Sequence, residues 1–347
     1  MRSSSGSIGW TLPAEDATRL GAMAGQTRLE RVGDLAARAG SLQPADPNLR
    51  RGLHIALAAV VALGVGLAIF GSIGELQGID WRFRPGALAF SIAALALGQI
   101  ALAEIWRRIL LALGPDLEPR QARAIWCTSA LGRYVPTSLL LPMLRAAMSQ
   151  RAGVPKRICL ASVVYEVALV LVALSLLAAY FVIDLPGLSG HAGRYAVLAL
   201  PVLGLVVLQP GIFHPAADWV FERLGRDPLP LSLPGGKMLE FVALYAVTGL
   251  LLGLSVYAAA QTVFPVGAGD VVVTVGAYAV GTALGFVAFV LPAGAVAREA
   301  GIALALAPVM PAAPAVAIAV LWRILQMAVE LVLALVTPLL ARGPNPS

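Results

Sequence analysis

Charge is what this sequence has least of. Only 13% of its 347 residues are Asp, Glu, Lys or Arg, while 59% are hydrophobic. A soluble globular domain carries about a quarter charged residues, so that class is excluded. Lysine is scarcer still, present at Lys156 and Lys237 alone, and the net charge of +6 is almost wholly arginine. The arginines gather at the ends of apolar runs, where they orient a chain in a bilayer and meet anionic headgroups, so they are not read as a nucleic-acid surface. The two cysteines, Cys127 and Cys159, sit in or beside apolar segments without metal-ligand spacing, and neither a disulfide nor a zinc site is expected. The three histidines, His54, His191 and His214, fall at separate span ends. There is no Gly-x4-Gly-Lys-Ser/Thr loop for nucleotide phosphates and no nucleophile elbow around a serine or cysteine. No cofactor, metal or catalytic residue is therefore expected, and the chain is not read as an enzyme.

What is present is a series of apolar runs near the length of about 20 residues that crosses a hydrocarbon core as a helix. None shows the alternation of a barrel strand. Residues 1–50 are polar and rich in Ser, Gly, Ala and Pro, and read as a partly disordered cytoplasmic tail. The membrane region is 51–342, with a short cytoplasmic terminus over 343–347. Crossing helices are expected at Leu53–Gly71, Gly86–Ala103, Ile158–Ile183, Tyr195–Ile212, Met238–Val263 and Ala315–Leu339. Glu104, Arg107 and Arg108 end the second of these at spacings that allow pairing along one helix face.

Two stretches break the pattern. Residues 124–157 are apolar but carry Arg133, Tyr134, Pro136 and Pro142, with Arg107, Arg108, Arg120 and Arg123 before them and Arg145, Arg151, Lys156 and Arg157 around the far end. The positive-inside bias places both basic groups in the cytoplasm, so this stretch is expected to enter and leave on one side. Backbone interrupted at membrane depth is tolerated only where protein or a wet cavity satisfies its polar groups. Residues 271–311 are broken by Gly and Pro in the same way, with Pro292 at the turn. If the last span ends inside at Arg342, this second hairpin starts and finishes outside. The expected fold is an all-α polytopic membrane protein with about six full spans and two re-entrant broken-helix hairpins in an inverted repeat. Paired interrupted segments of this kind mark substrate sites in transporters.

The run LGRYVPTSLLLPMLRAAMSQRAGVPKRICLASVVYE resembles the signature of the lysylphosphatidylglycerol synthase transmembrane family, a Gly-x-Tyr-x-Pro element followed by an arginine and then a helix with a glutamate. GFVAFVLPAGAVAREAGIALAL is similar to that family's second signature, a Pro-Gly-Gly-rich turn before Arg-Glu, with alanines here in place of glycines. The likeness extends over about residues 53 to 340. It implies a flippase-type domain that moves a lipid with an anionic or modified headgroup between leaflets of the bacterial inner membrane, or presents it to an enzyme. With the chain ending at Ser347, no soluble aminoacyl-transfer domain is expected and synthase activity is not carried over. Stand-alone relatives are associated with polyprenyl-phosphate sugars, glycolipids and hopanoids.

Ionisable groups inside spans face a cavity or a partner because lipid does not solvate them. Arg133 and Tyr134 lie in the first hairpin and Arg145 on its return limb; a guanidinium fork suits phosphate, and a phenol adds a neutral hydrogen bond. Arg145 reads equally as a topology anchor. Glu166, with Ser162 and Tyr165, forms a polar patch on the next span and pairs with Arg133 or Arg145, either as a displaceable partner or as a fixed structural one. Arg298 and Glu299 occupy the second hairpin. Arg323, Gln326 and Glu330 share one face of the last span, a polar stripe expected to meet the hairpin. The helix starts near Pro136 and Pro292 direct free amides toward an anion. Tyr245, Thr248 and Ser255 share a face and either line the path or pack. Two functions follow: a transporter of an anionic, phosphate-bearing lipid, or a lipid-binding subunit that presents its lipid to a separate synthase or glycosyltransferase. Possible partners are such an enzyme or further copies of the chain.

Overall fold

A computed structural model of the chain describes residues 83–134, 140–184, 192–223, 232–288 and 294–341. The tail over 1–50, the first expected span, Pro136, Pro292 and the terminus over 343–347 lie outside the described residues. No strand occurs among the described residues. The helices are α1 (Pro85–Ala112), α2 (Pro119–Ala130), α3 (Leu140–Arg151), α4 (Lys156–Asp184), α5 (Ala199–Val207), α6 (Pro210–Arg223), α7 (Gly235–Val263), α8 (Val271–Ala288), α9 (Gly294–Leu306) and α10 (Ala312–Ala341). Five of these, counting α8 with its preceding turn, are long and apolar enough to cross a membrane, and a sixth crossing results if the bent pair α5–α6 is one span. The protein is membrane-integral.

Helix α1 starts on Pro85, whose missing N–H is harmless at a first helical position. It runs past the expected end at Ala103 and carries Glu104, Arg107 and Arg108 on its last turns. Arg107 Nη2 stands 2.8 Å from Glu104 Oε1 and Arg108 Nε 3.3 Å from the same oxygen, the pairing expected from their spacing. α1 packs along α7. A Cβ at Gly98 would lie 2.5 Å from Leu252 Cδ2, so the glycine is a seat for the leucine. Small residues serve this purpose where helices cannot gain hydrophobic energy by leaving lipid.

The first hairpin is α2 and α3 with a 3₁₀ turn, Leu131–Tyr134, after α2. Each limb has 12 residues, about 18 Å of helix, well short of a hydrocarbon core of about 30 Å. Neither limb can cross alone. Gly132 in the turn is required sterically: a Cβ there would meet Leu141 Cα and N at 2.9 Å. The second hairpin is α8 and α9. α8 spans 18 residues and α9 only 13, so the two limbs differ in reach. They pack antiparallel, with Gly281 against Ile302 and Gly285 against Arg298.

One expected crossing differs. Tyr195–Ile212 is not a continuous helix, because the chain turns by 79° between Val207 and Pro210. Leu208 N still donates to Gly204 O at 2.9 Å, but Pro210 has no N–H with which to continue the ladder and instead opens α6. Helix α6 runs beyond Ile212, the expected end of that crossing, to Arg223.

The packing is reciprocal. α2 lies on α10, α8 lies on α4, and α1 lies on α7; each hairpin's return limb rests on the span that follows it, α3 on α4 and α9 on α10. The two hairpins therefore bring their polar residues toward α10 and α4.

Candidate functional site

Glu330 is the centre of the larger polar cluster. It stands in the middle of α10 with its side chain 2% exposed. Its Oε1 accepts from Gln99 Nε2 on α1 at 3.1 Å, from Gln326 Nε2 one turn earlier at 2.6 Å, and from Arg133 Nη1 at 3.2 Å; its Oε2 accepts from the Tyr134 hydroxyl at 2.9 Å. An ionised carboxylate only accepts, and four donors satisfy it. The 3₁₀ turn after α2 makes this possible, because it leaves the α-helical path and aims consecutive Arg133 and Tyr134 at the same carboxylate. Arg133 also donates from Nε to Ala130 O at 3.1 Å, which fixes its fork.

The second hairpin joins through Arg323, two turns before Glu330 on the same face of α10. Its Nε lies 3.3 Å from Glu299 Oε1 on α9, and its guanidinium carbon stands 5.1 Å from the centroid of the Tyr134 ring. Tyr134 therefore meets α10 twice, accepting a cation on its ring face and donating from its hydroxyl to Glu330. Arg298, beside Glu299, meets the preceding residue of α10. Its guanidinium carbon is 5.0 Å from the Trp322 ring centroid, and Trp322 Nε1 is tied to Ser255 Oγ at 2.8 Å. Arg298 Nε is buried and has no hydrogen-bond partner. Among the described residues, Arg298 has no carboxylate within ion-pair distance. Three guanidiniums thus converge with two carboxylates, and one positive charge is left over. The adjacent gap lined by Gln99, Trp126, Cys127, Ala130, Glu330 and Leu333 has no room for a headgroup.

Arg145 and Glu166 form a separate, drier pair. Arg145 Nη1 bonds Glu166 Oε2, and Arg145 Nε donates to Ser129 Oγ at 3.1 Å. The guanidinium carbon lies 5.2 Å from the Trp106 ring centroid and 5.4 Å from that of Trp126, and Trp126 Nε1 donates to the other Glu166 oxygen at 3.2 Å. Arg145 is 2% exposed and Glu166 14%. Of the two partners considered for Glu166, Arg145 is the one it takes, and Arg133 goes to Glu330. Ser162 accepts from Trp106 Nε1 at 3.0 Å, while Tyr165 turns away to His214 Nε2 at 3.0 Å. The expected polar patch on α4 is therefore split between two faces.

The stripe Arg323, Gln326 and Glu330 does meet a hairpin, and it meets both: Arg323 the second, Glu330 the first. Tyr245, Thr248 and Ser255 are buried in packing contacts, with the Tyr245 hydroxyl lacking a hydrogen-bond partner. Sequence reasoning passed over Gln99, Ser129 and the three tryptophans Trp106, Trp126 and Trp322. Their signal was the presence of large amphipathic rings inside spans that also carry or face arginine. Groups of three or more His, Cys, Asp or Glu side chains placed to hold a metal do not occur among the described residues. Comparisons with family models, with curated proteins and with solved structures found no match.

Proposed function

We propose that this chain is a membrane lipid transporter of the flippase type, a stand-alone relative of the lysylphosphatidylglycerol synthase transmembrane family. It binds an anionic, phosphate-bearing headgroup between two hairpins while the acyl or prenyl chains stay in the bilayer. The observation that carries this reading is the half-buried Arg298, its guanidinium stacked on Trp322 and its buried Nε unpartnered, in a cluster holding one more cation than anion. A fixed, half-desolvated fork without an acceptor is suited to a phosphate oxygen. An unneutralised charge at membrane depth is costly enough to mark a functional site.

The reciprocal packing of α2 on α10 and α8 on α4 supports an inverted repeat, and the 12-residue limbs of α2 and α3 support a re-entrant first hairpin. In this reading both termini are cytoplasmic and the membrane is the bacterial inner membrane. An arriving headgroup takes up the free charge of Arg298 and competes with Glu299 for Arg323; rocking of one half against the other then exposes the site to either leaflet.

The test is native mass spectrometry of the full chain purified in mild detergent, with identification of bound lipid, followed by a dequenching assay of headgroup movement in vesicles. Wild type is expected to carry a phosphate-bearing lipid that Arg298→Ala loses, and to move it across the bilayer. Lipid that remains bound in both Arg298→Ala and Arg133→Ala would refute the site. Specific binding without movement would leave the lipid-presenting subunit as the function.

A further inference from the structure

We infer that Glu299 limits the anion site to headgroups with a single negative charge, an inference that rests on the transporter reading above. Among the five charged groups of the cluster, Glu330 is saturated by its four donors, Arg133 among them. Glu299 takes Arg323 at 3.3 Å. Only Arg298 is left, with a buried Nε that has no partner and a ring beneath it that holds its plane. A phosphodiester brings one charge and neutralises the cluster. A phosphomonoester or pyrophosphate brings a second, and that charge meets the Glu299 carboxylate, next to Arg298 on the first turns of α9, with every other cation already engaged. Juxtaposed like charges in a poorly hydrated site are costly, and specific sites use such repulsion against the wrong partner beside the contacts made to the right one. Glu299 is thus a specificity-determining residue that works by repulsion and by occupying Arg323.

The experiment measures binding of two short-chain probes to the full-length protein in detergent by titration calorimetry, at about pH 8, where a phosphomonoester with a second ionisation near 6 is almost fully doubly charged. The probes are dihexanoylphosphatidylglycerol, a monoanionic diester, and dihexanoylphosphatidic acid, a monoester. Wild type is expected to prefer the diester by about tenfold or more, the ratio that about 1.4 kcal/mol gives. Glu299→Gln releases Arg323 and raises the site by one positive charge, so the preference is expected to vanish or invert; Glu299→Asp keeps it. Should Glu299→Gln fail to fold, Arg323→Gln decides, because it brings the cluster to zero charge and is expected to weaken diester binding by about tenfold. Equal affinity of wild type for both probes, or an unchanged ratio in Glu299→Gln, or undiminished diester binding in Arg323→Gln, overturns the role of Glu299 and leaves the transporter reading standing. Failure of wild type to bind either probe overturns both.

Discussion

Tyr134 and Glu330 are 196 positions apart in the chain and 2.9 Å apart in space, phenol hydroxyl donating to carboxylate. This contact, with that of Arg133 to the same carboxylate, ties the first hairpin to the last helix. Removing the carboxylate leaves Arg133 and Tyr134 facing each other without an anion. Glu330→Ala is expected to destabilise the protein by about 2 kcal/mol or more, the loss seen when one partner of a buried pair is deleted, reduced here because Arg133 is 25% exposed. Tyr134→Phe removes one donor of four and is expected to cost about 1 kcal/mol. Thermal unfolding followed by tryptophan fluorescence checks both; a Glu330→Ala variant as stable as wild type contradicts the assigned hub.

Arg145 and Glu166 lead to a different expectation. Arg145 is held between two tryptophan faces and meets Glu166 directly, so the pair is expected to act in folding more than in binding. Arg145→Met and Glu166→Leu are each expected to lower stability, and the double variant Arg145→Met/Glu166→Leu to recover part of the loss, with a coupling of about 1 to 3 kcal/mol. Lipid binding per folded molecule is expected to persist in the double variant. Additive losses, or selective loss of lipid from a fully folded double variant, would place Arg145 in the site after all.

Glycine positions supply an internal control. A Cβ on Gly281 would stand 2.4 Å from Ile302 Cγ1 and 2.8 Å from Arg298 O, and backbone atoms cannot swing aside. Gly281→Ala is therefore expected to separate α8 from α9, displace Arg298 and weaken lipid binding by about tenfold, a loss of about 1.4 kcal/mol. Gly86→Ala on α1, where nothing lies within 4 Å, is expected to be neutral in both stability and binding. Equal behaviour of the two variants would mean that the close approach of the limbs does not hold Arg298.

Membrane sidedness distinguishes an inverted repeat from any parallel arrangement. In a background with Cys127 and Cys159 replaced by serine, single cysteines at the exposed positions Arg120 and Arg151 flank the first hairpin, and at Gly267 and Ala312 the second. An impermeant maleimide is expected to label the first two from the cytoplasmic face and the last two from the opposite face. Labelling of all four from one side would refute the opposed orientation.

The architecture was legible in the sequence wherever a long apolar run forced a helix, as at Met238–Val263 and Ala315–Leu339. Arg133, Tyr134, Glu299, Arg323 and Glu330 were legible as site candidates for the same reason, since a charged or phenolic group in such a run needs a partner. The identity of each partner was not. Arg133 and Arg145 both had Glu166 within plausible reach, and only the 3₁₀ turn over Leu131–Tyr134, which rotates Arg133 toward α10, decides between them. Helical periodicity cannot register a turn that departs from it. Tyr195–Ile212 was read as unbroken because its hydropathy is continuous; the bend comes from one missing N–H at Pro210, a feature that hydropathy does not weigh. The tryptophans escaped notice because an indole in a span is an ordinary core residue until an arginine is found on its face.

The glycine contacts between α8 and α9 have a mechanical consequence. Where Gly301 brings its own backbone to that of Gly281, a Cβ would lie 2.9 Å from the Gly281 Cα. With no side chains between them, the limbs have almost no compliance at this point, and close-packed atoms transmit displacement instead of absorbing it. The second hairpin is thus a stiff lever carrying Arg298 and Glu299 on one arm, so these two residues travel together or not at all. In the transporter reading proposed above, a stroke that carried Arg298 toward the other leaflet would take Glu299 with it.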